Sequence, residues 1–292
     1  MIDFYLSFPG DILVNIKSSE SIVFDDITRV LMGAYLPGAK FIENIPRMAD
    51  IEFEYKQSDS QEFIQKGSKI LFKDNWETKF PLDFYHLLYS MVRVEWLKRN
   101  IFSVHAGCVG VDDYILIVGH TGVGKTSTIL ELLKDHDVRM FSGNKTLVSF
   151  NTDMSLNVLA GTKTITINKE DFQRHSGNTN YIKYDNRGAF IPDNYTDEAK
   201  PIRAIAIISL SDGVREKTIV NRLGALHKLY PYFLDTVNSD TILFDGKEVF
   251  TGTPSSGVQQ YLARFLSGLV AKTPIYIIKG DVSFVAGSIK SL

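Results

Sequence analysis

The first 80 residues alternate between apolar and polar positions in several short runs. A period of two is typical of strands that are buried on one face, and residues 12–16 and 51–55 both show it. Pro9-Gly10 and Pro37-Gly38 separate such runs, at places where turns are expected. Residues 1–80 are therefore predicted to form a β-rich N-terminal region. This region is expected either to cover the core as a plain β-layer or to act as a lid or substrate-recognition module.

After residue 80 the spacing of apolar residues lengthens to that of a helix. Pro81 to Arg99 has a proline in its first turn and a single apolar face, so a helix is predicted there. Residues 258–271 form a second amphipathic helix by the same criterion. Short apolar runs predict buried strands at 101–109, 114–118, 138–148, 156–159, 163–167, 204–210 and 275–278. The run 138–148 is predicted to contain two strands joined by a tight turn with positive φ at Gly143-Asn144. Residues 81–292 are therefore predicted to form an α/β core, with the polar stretch 168–200 as a binding loop or lid.

One loop in this core matches a phosphate-binding pattern. Residues 119–126, Gly-His-Thr-Gly-Val-Gly-Lys-Thr, fit G-x-x-x-x-G-K-[S/T] and lie between a predicted strand and a helix predicted at 126–134. The glycines let the backbone approach an anion closely, and the following helix presents its positive end to that anion. A chance glycine-rich turn is the competing interpretation, and the strand before the loop and the helix after it argue against chance.

The residue types in this loop suit a nucleotide and a magnesium ion. Lys125 supplies a mobile positive charge for the outer phosphates, and the Thr126 hydroxyl is the predicted ligand of Mg²⁺. The nucleotide is ATP or another nucleoside triphosphate. The predicted nucleotide-binding residues are Gly119, Thr121, Gly122, Val123, Gly124, Lys125, Thr126 and Ser127.

Two residues outside the loop are further candidates for chemistry. His105 lies on a strand predicted to pair beside the strand that enters the loop, although a single histidine is more often structural than catalytic. Asp212 follows the apolar run 204–210, as the metal-binding acid follows a strand in many P-loop enzymes. An apolar run followed by an aspartate is common, however, so this pattern has little specificity.

The composition excludes several classes of protein. The 292 residues are 44% hydrophobic and 23% charged, which is ordinary for a globular protein with a substantial core. The net charge of −2 gives no general attraction to nucleic acid or to an anionic membrane. Cys108 is the only cysteine, so no internal disulfide can form, and the strongest apolar run is far too short to span a bilayer. The N-terminus lacks the features of a signal peptide, and a cytoplasmic location is expected.

From about residue 82 onward, the order of these features resembles the HPr kinase/phosphorylase family and its smaller, biosynthesis-associated relatives. The resemblance rests on Ser103-Val104-His105-Ala106-Gly107, on the phosphate-binding loop with its lysine about twenty residues after the histidine, and on the Arg187-Gly188 loop. It implies a phosphoenolpyruvate-carboxykinase-like α/β core with mixed sheets, rather than the common parallel P-loop core. It also implies that self-association into a homo-oligomer is plausible.

One position departs from the family pattern. Where the family has an acidic pair after the strand, this chain has Gly143-Asn144. An aspartate there is expected to act as general base toward the acceptor hydroxyl or to help hold metal, whereas asparagine can orient a hydroxyl but cannot take its proton. Three interpretations follow: a kinase that works by positioning and electrostatics, a catalytically silent nucleotide-binding protein, or an engineered replacement of aspartate by asparagine.

The resemblance implies transfer of the γ-phosphate of ATP, with Mg²⁺, to a hydroxyl of a peptide, a protein or a small molecule. Lys125 would stabilise the transferred group, and Asn144 would face the acceptor hydroxyl. His105 would lie near the transferred phosphate or the metal, while Arg187 would contact the acceptor or a phosphate, or be a plain surface arginine. The alternatives are a nucleotide-binding regulator or scaffold without turnover, and a generic P-loop NTPase that uses Asp212 and has a parallel sheet.

Overall fold

The computed structural model describes residues 2–18, 26–43, 47–74, 82–168, 182–184, 187–238, 241–242, 248–249 and 256–292. Its fold is mixed α/β, as predicted. The described residues contain six helices, which are α1 (Asp26–Tyr35), α2 (Leu82–Lys98), α3 (Lys125–Leu132), α4 (Arg222–Asn238), α5 (Ser256–Lys272) and α6 (Val282–Lys290). None of these helices is long and apolar enough to cross a membrane.

The strands before residue 80 form one six-stranded sheet. They are β1 (Ile2–Phe8), β2 (Ile12–Ser18), β3 (Lys40–Ile42), β4 (Ile51–Gln57), β5 (Glu62–Lys66) and β6 (Lys69–Asp74). Their order is β3-β1-β2-β4-β6-β5, in which β2, β4 and β6 are parallel and the other neighbours are antiparallel. The alternation predicted for β4 is present, because Ile51, Phe53 and Tyr55 are buried and the residues between them are half-exposed.

Helix α2 attaches this sheet to the rest of the molecule. Its apolar face lies in the same hydrophobic cluster as the buried residues of β1, β2, β4 and β6. Trp96 is fully buried there, packs edge-on against Phe8, and donates its indole N–H to the carbonyl of Pro9 over 2.9 Å. The N-terminal sheet therefore shares its hydrophobic core with a helix that follows residue 81.

The remaining strands form a large central sheet and smaller ones. They are β7 (Phe102–Val104), β8 (Ala106–Gly110), β9 (Tyr114–Val118), β10 (Arg139–Ser142), β11 (Thr146–Phe150), β12 (Leu156–Gly161), β13 (Ile165–Asn168), β14 (Ile182–Tyr184), β15 (Arg187–Phe190), β16 (Ile202–Leu210), β17 (Glu216–Ile219), β18 (Thr241–Ile242), β19 (Glu248–Val249) and β20 (Ile275–Gly280). The central sheet has the order β10-β8-β9-β16-β20-β17. The smaller sheets are β12-β11-β7, β13-β15-β14 and β18-β19.

The central sheet is mixed rather than parallel. Strands β9, β16 and β20 are parallel to one another, whereas β8, β10 and β17 are antiparallel to their neighbours. Helices α3 and α6 cover one face, and α4 and α5 cover the other. All five residues of β9 are buried because both faces of the sheet are covered, which explains the unbroken apolar run in the sequence.

The single strand predicted at 101–109 is wrong. The chain breaks at His105 into β7 and β8, and these two strands join different sheets. The break is held by Thr146, whose Oγ1 donates to the carbonyl of Ala106 over 2.8 Å. Both halves of the apolar run are buried, so the sequence pattern gives no sign that the sheet changes there.

The turn with positive φ predicted at Gly143-Asn144 is also wrong. Neither residue has a positive φ, and β10 and β11 belong to different sheets. Residues 143–145 instead cross from one sheet to the other, and Thr162 holds them. Its Oγ1 accepts from the backbone N–H groups of Asn144 (2.9 Å) and Lys145 (3.1 Å), and its carbonyl accepts from Gly143 N–H over 2.9 Å.

Replacing Thr162 with valine tests this crossing. Thr162 is fully buried, and valine fills its volume but leaves two backbone N–H groups without their acceptor. The free energy of unfolding is expected to fall by about 1–3 kcal/mol, measured by urea denaturation. Thr218→Val, at an exposed strand position, is the control and should change it by less than about 0.5 kcal/mol. A Thr162→Val variant as stable as the wild type would contradict the role given to this hydroxyl.

Candidate phosphate-binding site

The loop predicted to bind phosphate joins β9 to α3 at the centre of the mixed sheet. Gly122 (φ 83°) and Gly124 (φ 95°) both have the left-handed backbone conformation that favours glycine. A Cβ at Gly124 would also lie 2.2 Å from Cδ1 of Leu210, at the end of the adjacent strand β16. The pattern of glycines in the sequence is therefore required by the shape of the loop.

The beginning of α3 suits an anion. Gly124 is the N-cap residue and no side chain caps the helix, so protein side chains do not cover the first-turn N–H groups. The loop is fastened to β16 by the N–H of Leu210, which donates to the carbonyl of Val123 over 3.0 Å. An anion placed in the concavity would meet backbone donors and the positive end of the helix together.

Lys125 is a buried cation with no acidic partner among the residues that the structure describes. Its side chain is 7% exposed, and its Nζ donates to the carbonyls of Gly119 (2.7 Å) and His120 (3.0 Å). Burial lowers the pKa of Lys125 to about 8. A phosphate would supply the negative charge that this site lacks, and would favour the protonated form.

Thr126 and Ser127 occupy the first turn of α3, where both are half-buried. A threonine hydroxyl at this position fits Mg²⁺, which is usually bound by one or two protein oxygens together with phosphates and water. Across the part of the chain that the structure describes, no group of three or more His, Cys, Asp or Glu residues could hold a metal by itself. A magnesium ion here would therefore depend on the nucleotide for most of its ligands.

The pairing of β8 with β9 places His105 beside the loop. Ala106 pairs with Val118, so His105 is level with Gly119, where the loop begins. Strand β10 runs in the same direction as β9 and ends at the same edge, since Ser142 pairs with Cys108 and Cys108 pairs with Leu116. Asn144 follows two residues later. The structure thus brings His105, Asn144 and the phosphate-binding loop to one edge of the sheet.

Asn144 is partly accessible to solvent. Its backbone N–H is used by Thr162, and the residue is half-exposed. Within the described residues, the side-chain amide of Asn144 has no hydrogen-bond partner. This amide can therefore donate to or accept from a ligand hydroxyl at the edge of the sheet.

Asp212 and Arg187 are the two other residues predicted to take part in the chemistry. Asp212 is exposed two residues after Leu210, whose side chain would collide with a Cβ at Gly124. Arg187 begins β15, with its backbone opposite Asn168 and Tyr184 in a small three-stranded sheet. The side chain of Arg187 lies outside the described part of the structure, so its predicted contact with the acceptor stays a prediction.

One aromatic residue, Tyr232, lies near the loop although no sequence pattern indicates this. Tyr232 of α4 packs its ring 5.2 Å from the imidazole of His120, a residue of the loop itself. Burial raises the pKa of Tyr232. No pattern predicts that α4 reaches the loop, and Pro231 within this helix argues locally against a helix.

A separate cavity of about 570 Å³ lies between α1 and the strands β10 and β12. Its lining includes Leu36, Phe41, Phe141, Gly161 and Lys163. It contains no residue of 119–126, nor His105 or Asn144. This cavity is therefore separate from the place where the predicted chemistry lies.

Comparison with known proteins gives no family assignment. No protein-family model matches the chain, and no curated protein matches it.

Gly124→Ala tests the shape of the loop. A left-handed backbone costs about 1–2 kcal/mol for an alanine, and the contact with Leu210 adds to this cost. Gly67→Ala is the matched control, because Gly67 also has a positive φ (63°) but no atom lies near the added Cβ. Urea denaturation should show a clearly larger loss of stability for Gly124→Ala than for Gly67→Ala. Equal losses would mean that Leu210 does not press against the loop.

Proposed function

We propose that this protein is an ATP-dependent phosphotransferase of the HPr kinase-like type, which moves the γ-phosphate of Mg·ATP to a hydroxyl of an acceptor. The observation that carries the proposal is the meeting of three features at one sheet edge. These are the glycine loop with its left-handed backbone, the cation of Lys125, which has no acidic partner among the described residues, and the polar residues His105 and Asn144.

The arrangement of the central sheet supports the HPr kinase-like fold over a generic P-loop NTPase. The generic alternative implies a parallel sheet, whereas β8 and β10 run antiparallel to their neighbours here. Because β8 is antiparallel to β9, β8 begins at the edge where β9 ends, and His105 therefore lies beside the loop rather than at the opposite edge. A mixed sheet is also what the resemblance to the HPr kinase family implies.

Positioning and charge would account for most of the catalysis. On binding, Lys125 exchanges the carbonyls of Gly119 and His120 for phosphate oxygens, and the N–H groups at the start of α3 hold the β-phosphate. Thr126 would hold Mg²⁺, which neutralises the charge that develops on the phosphates. Asn144 would orient the acceptor hydroxyl, and His105 would lie near the transferred group.

The second candidate function is a nucleotide-binding regulator without turnover. The observation that favours it is Asn144 itself, because a carboxamide cannot remove the proton of the acceptor. None of the residues 143–145 carries a carboxylate. The two candidate functions share the nucleotide site and differ only in whether phosphate is transferred to an acceptor.

Lys125→Met tests the nucleotide site. Loss of charge-assisted hydrogen bonds is expected to weaken binding of Mg·ATP about ten- to a hundredfold, measured by calorimetry. The affinity of the wild type for Mg·ATP should also decrease as the pH rises through about 8, because Lys125 loses its proton there. The affinity of the variant should not show this decrease. Lys134→Met, at an exposed lysine paired with Glu131 near the end of α3, is the control and should bind normally. Normal binding by Lys125→Met would refute the nucleotide site.

Asn144→Asp separates the two candidate functions. A carboxylate at this position can take the acceptor proton, a contribution worth about 10²–10⁴ in rate. The variant should transfer labelled phosphate from γ-labelled ATP to serine peptides or small polyols faster than the wild type, with nucleotide affinity unchanged. If nucleotide binds and Asn144→Asp gains no transfer to any acceptor, the regulator interpretation is favoured.

A further inference from the structure

The cavity between α1 and the strands β10 and β12 has walls from two distant parts of the chain. Met32, Leu36 and Phe41 line it from the N-terminal region, and Phe141 and Tyr195 line it from the core. Its volume of about 570 Å³ lies within the range of about 300–1,000 Å³ that is typical of sites for small molecules. Such sites often lie where two structural units meet. We refer to this cavity as the α1 cavity.

Contacts within the protein set the shape of the α1 cavity. The backbone N–H of Thr164 donates to the carbonyl of Gly33 over 3.3 Å, and the Thr164 hydroxyl donates to the carbonyl of Val30 over 2.9 Å. A Cβ at Gly33 would lie 2.5 Å from Oγ1 of Thr164. A Cβ at Gly38 would lie 2.7 Å from Cβ of Ala160. Because the two walls are held together in this way, a ligand would enter a preformed site, which lowers the entropic cost of binding.

Much of the wall of the α1 cavity is apolar. Met32, Leu36 and Phe141 are buried, whereas Phe41 is 44% exposed. A ligand with an apolar body would therefore cover aromatic surface that is now in contact with water. Removal of apolar surface from water favours binding.

Three charged side chains line the α1 cavity without ion pairs. Lys40, Lys163 and Asp197 form no ion pair with any residue that the structure describes. A Cβ at Gly33 would lie 2.9 Å from Cγ of Lys163 and 3.0 Å from its Cε, so the stem of this lysine packs along α1. Two lysines and one aspartate leave one excess positive charge. A ligand with a single negative charge matches that excess.

Tyr195 supplies a neutral hydrogen-bond donor. Its segment is fixed to β10, because Met140 N–H donates to the carbonyl of Asn194 and Thr196 N–H donates to the carbonyl of Met140, both over 2.9 Å. The hydroxyl of Tyr195 has no hydrogen-bond partner in the part of the chain that the structure describes, and the residue is half-exposed. Burial, and then the charge of Asp197, raise the pKa of Tyr195. The hydroxyl is therefore protonated at neutral pH and can donate to a ligand.

We propose that the α1 cavity binds a small carboxylate with an apolar body. Lys163 pairs with the carboxylate, and the hydroxyl of Tyr195 donates to it. The apolar body packs against the apolar wall. A phosphate dianion suits the cavity less well, because its charge exceeds the single positive charge of the lining and Asp197 would repel it.

This site does not depend on the proposed function. The lining of the α1 cavity includes no residue of the loop 119–126. Gly161 and Lys163, which do line it, flank Thr162 in the sequence. The hydroxyl of Thr162 accepts from the backbone N–H of Asn144 over 2.9 Å. A ligand in the cavity would therefore lie beside the segment that holds Asn144 and would leave the loop available to nucleotide.

Calorimetry on the full chain tests the proposal with three probes, which are 3-phenylpropionate, indole-3-acetate and 4-methylpentanoate. The corresponding amides have the same apolar bodies without the charge, and acetate has the charge without the body. At least one of the three carboxylates should bind with a Kd below about 1 mM. Its amide should bind at least tenfold more weakly, and acetate should show no binding at the same concentrations.

Three variants locate the bound probe. Lys163→Met removes the charge but keeps an unbranched stem, so it should weaken binding of the carboxylate at least tenfold and leave binding of the amide unchanged. Tyr195→Phe removes only the hydroxyl and should weaken binding of the carboxylate about three- to tenfold. Lys66→Met is the control and should bind normally, because Lys66 is an exposed residue of β5, at the opposite edge of the N-terminal sheet from β3. Urea denaturation establishes that all three variants are folded.

The remaining outcomes separate this proposal from the proposed function. If none of the three carboxylates binds with a Kd below about 1 mM, or if Lys163→Met binds the probe normally, the α1 cavity is not a carboxylate site. Equal affinity for a carboxylate and its amide would also exclude it. Displacement of the carboxylate by Mg²⁺ with a non-hydrolysable ATP analogue would place the probe at the loop 119–126 and overturn the proposal. If the ATP analogue does not bind but the carboxylate does, the nucleotide site is wrong and the carboxylate site is retained.

Discussion

The antiparallel pairing of β8 with β9 determines where the candidate site lies. Five consecutive residue pairs, from Ala106–Val118 to Gly110–Tyr114, fix the register of these strands. A slip by one residue would turn every side chain of β8 to the opposite face. It would also move His105 away from the level of Gly119. The position of the histidine relative to the loop therefore depends on backbone hydrogen bonds in the core and not on contacts made by the histidine itself.

Two breaks in the chain then bring a second sheet to the same edge. At His105 the chain leaves β7 and enters β8, and at residues 143–145 it leaves β10 and enters β11. Small buried hydroxyls hold both breaks, since Thr146 bonds to Ala106, Ser142 bonds to Lys145, and Thr162 bonds to the crossing amides. Side-chain oxygens replace the ladder hydrogen bonds that these residues cannot make. The side-chain amide of Asn144 takes no part in these hydrogen bonds and has no partner among the described residues.

The sequence predicts those features that depend on neighbours along the chain. The glycine-rich loop 119–126, predicted to bind phosphate, is defined by eight consecutive residues whose glycines are required locally, so its position and shape could be predicted. Helix α2 has apolar residues at helical spacing, and β9 is a continuous apolar run, so both elements could also be predicted from the sequence. The break at His105 could not be predicted, because buried residues on either side of it look like one strand.

Features that depend on distant parts of the chain could not be predicted. Thr162 holds Asn144 from eighteen residues away, and nothing in its local sequence distinguishes it from other threonines in strands. Burial, in contact with Tyr89 of α2, and then the charge of Arg93 lower the pKa of Lys145. A glycine-asparagine pair favours a turn locally, but here the backbone is set by long-range pairing of β11 with β7 and β12.

The contacts of Lys125 with its own loop bear on how fast a ligand can bind. By donating to the carbonyls of Gly119 and His120, this side chain closes a small ring of hydrogen bonds across the loop. These bonds, made within the protein, stabilise the curvature of the loop and so reduce the conformational entropy that association would cost. What binding requires is the exchange of two hydrogen bonds of one ammonium group. This exchange involves one side chain and no ordering of the loop, so the encounter of ligand and protein would limit the rate of association.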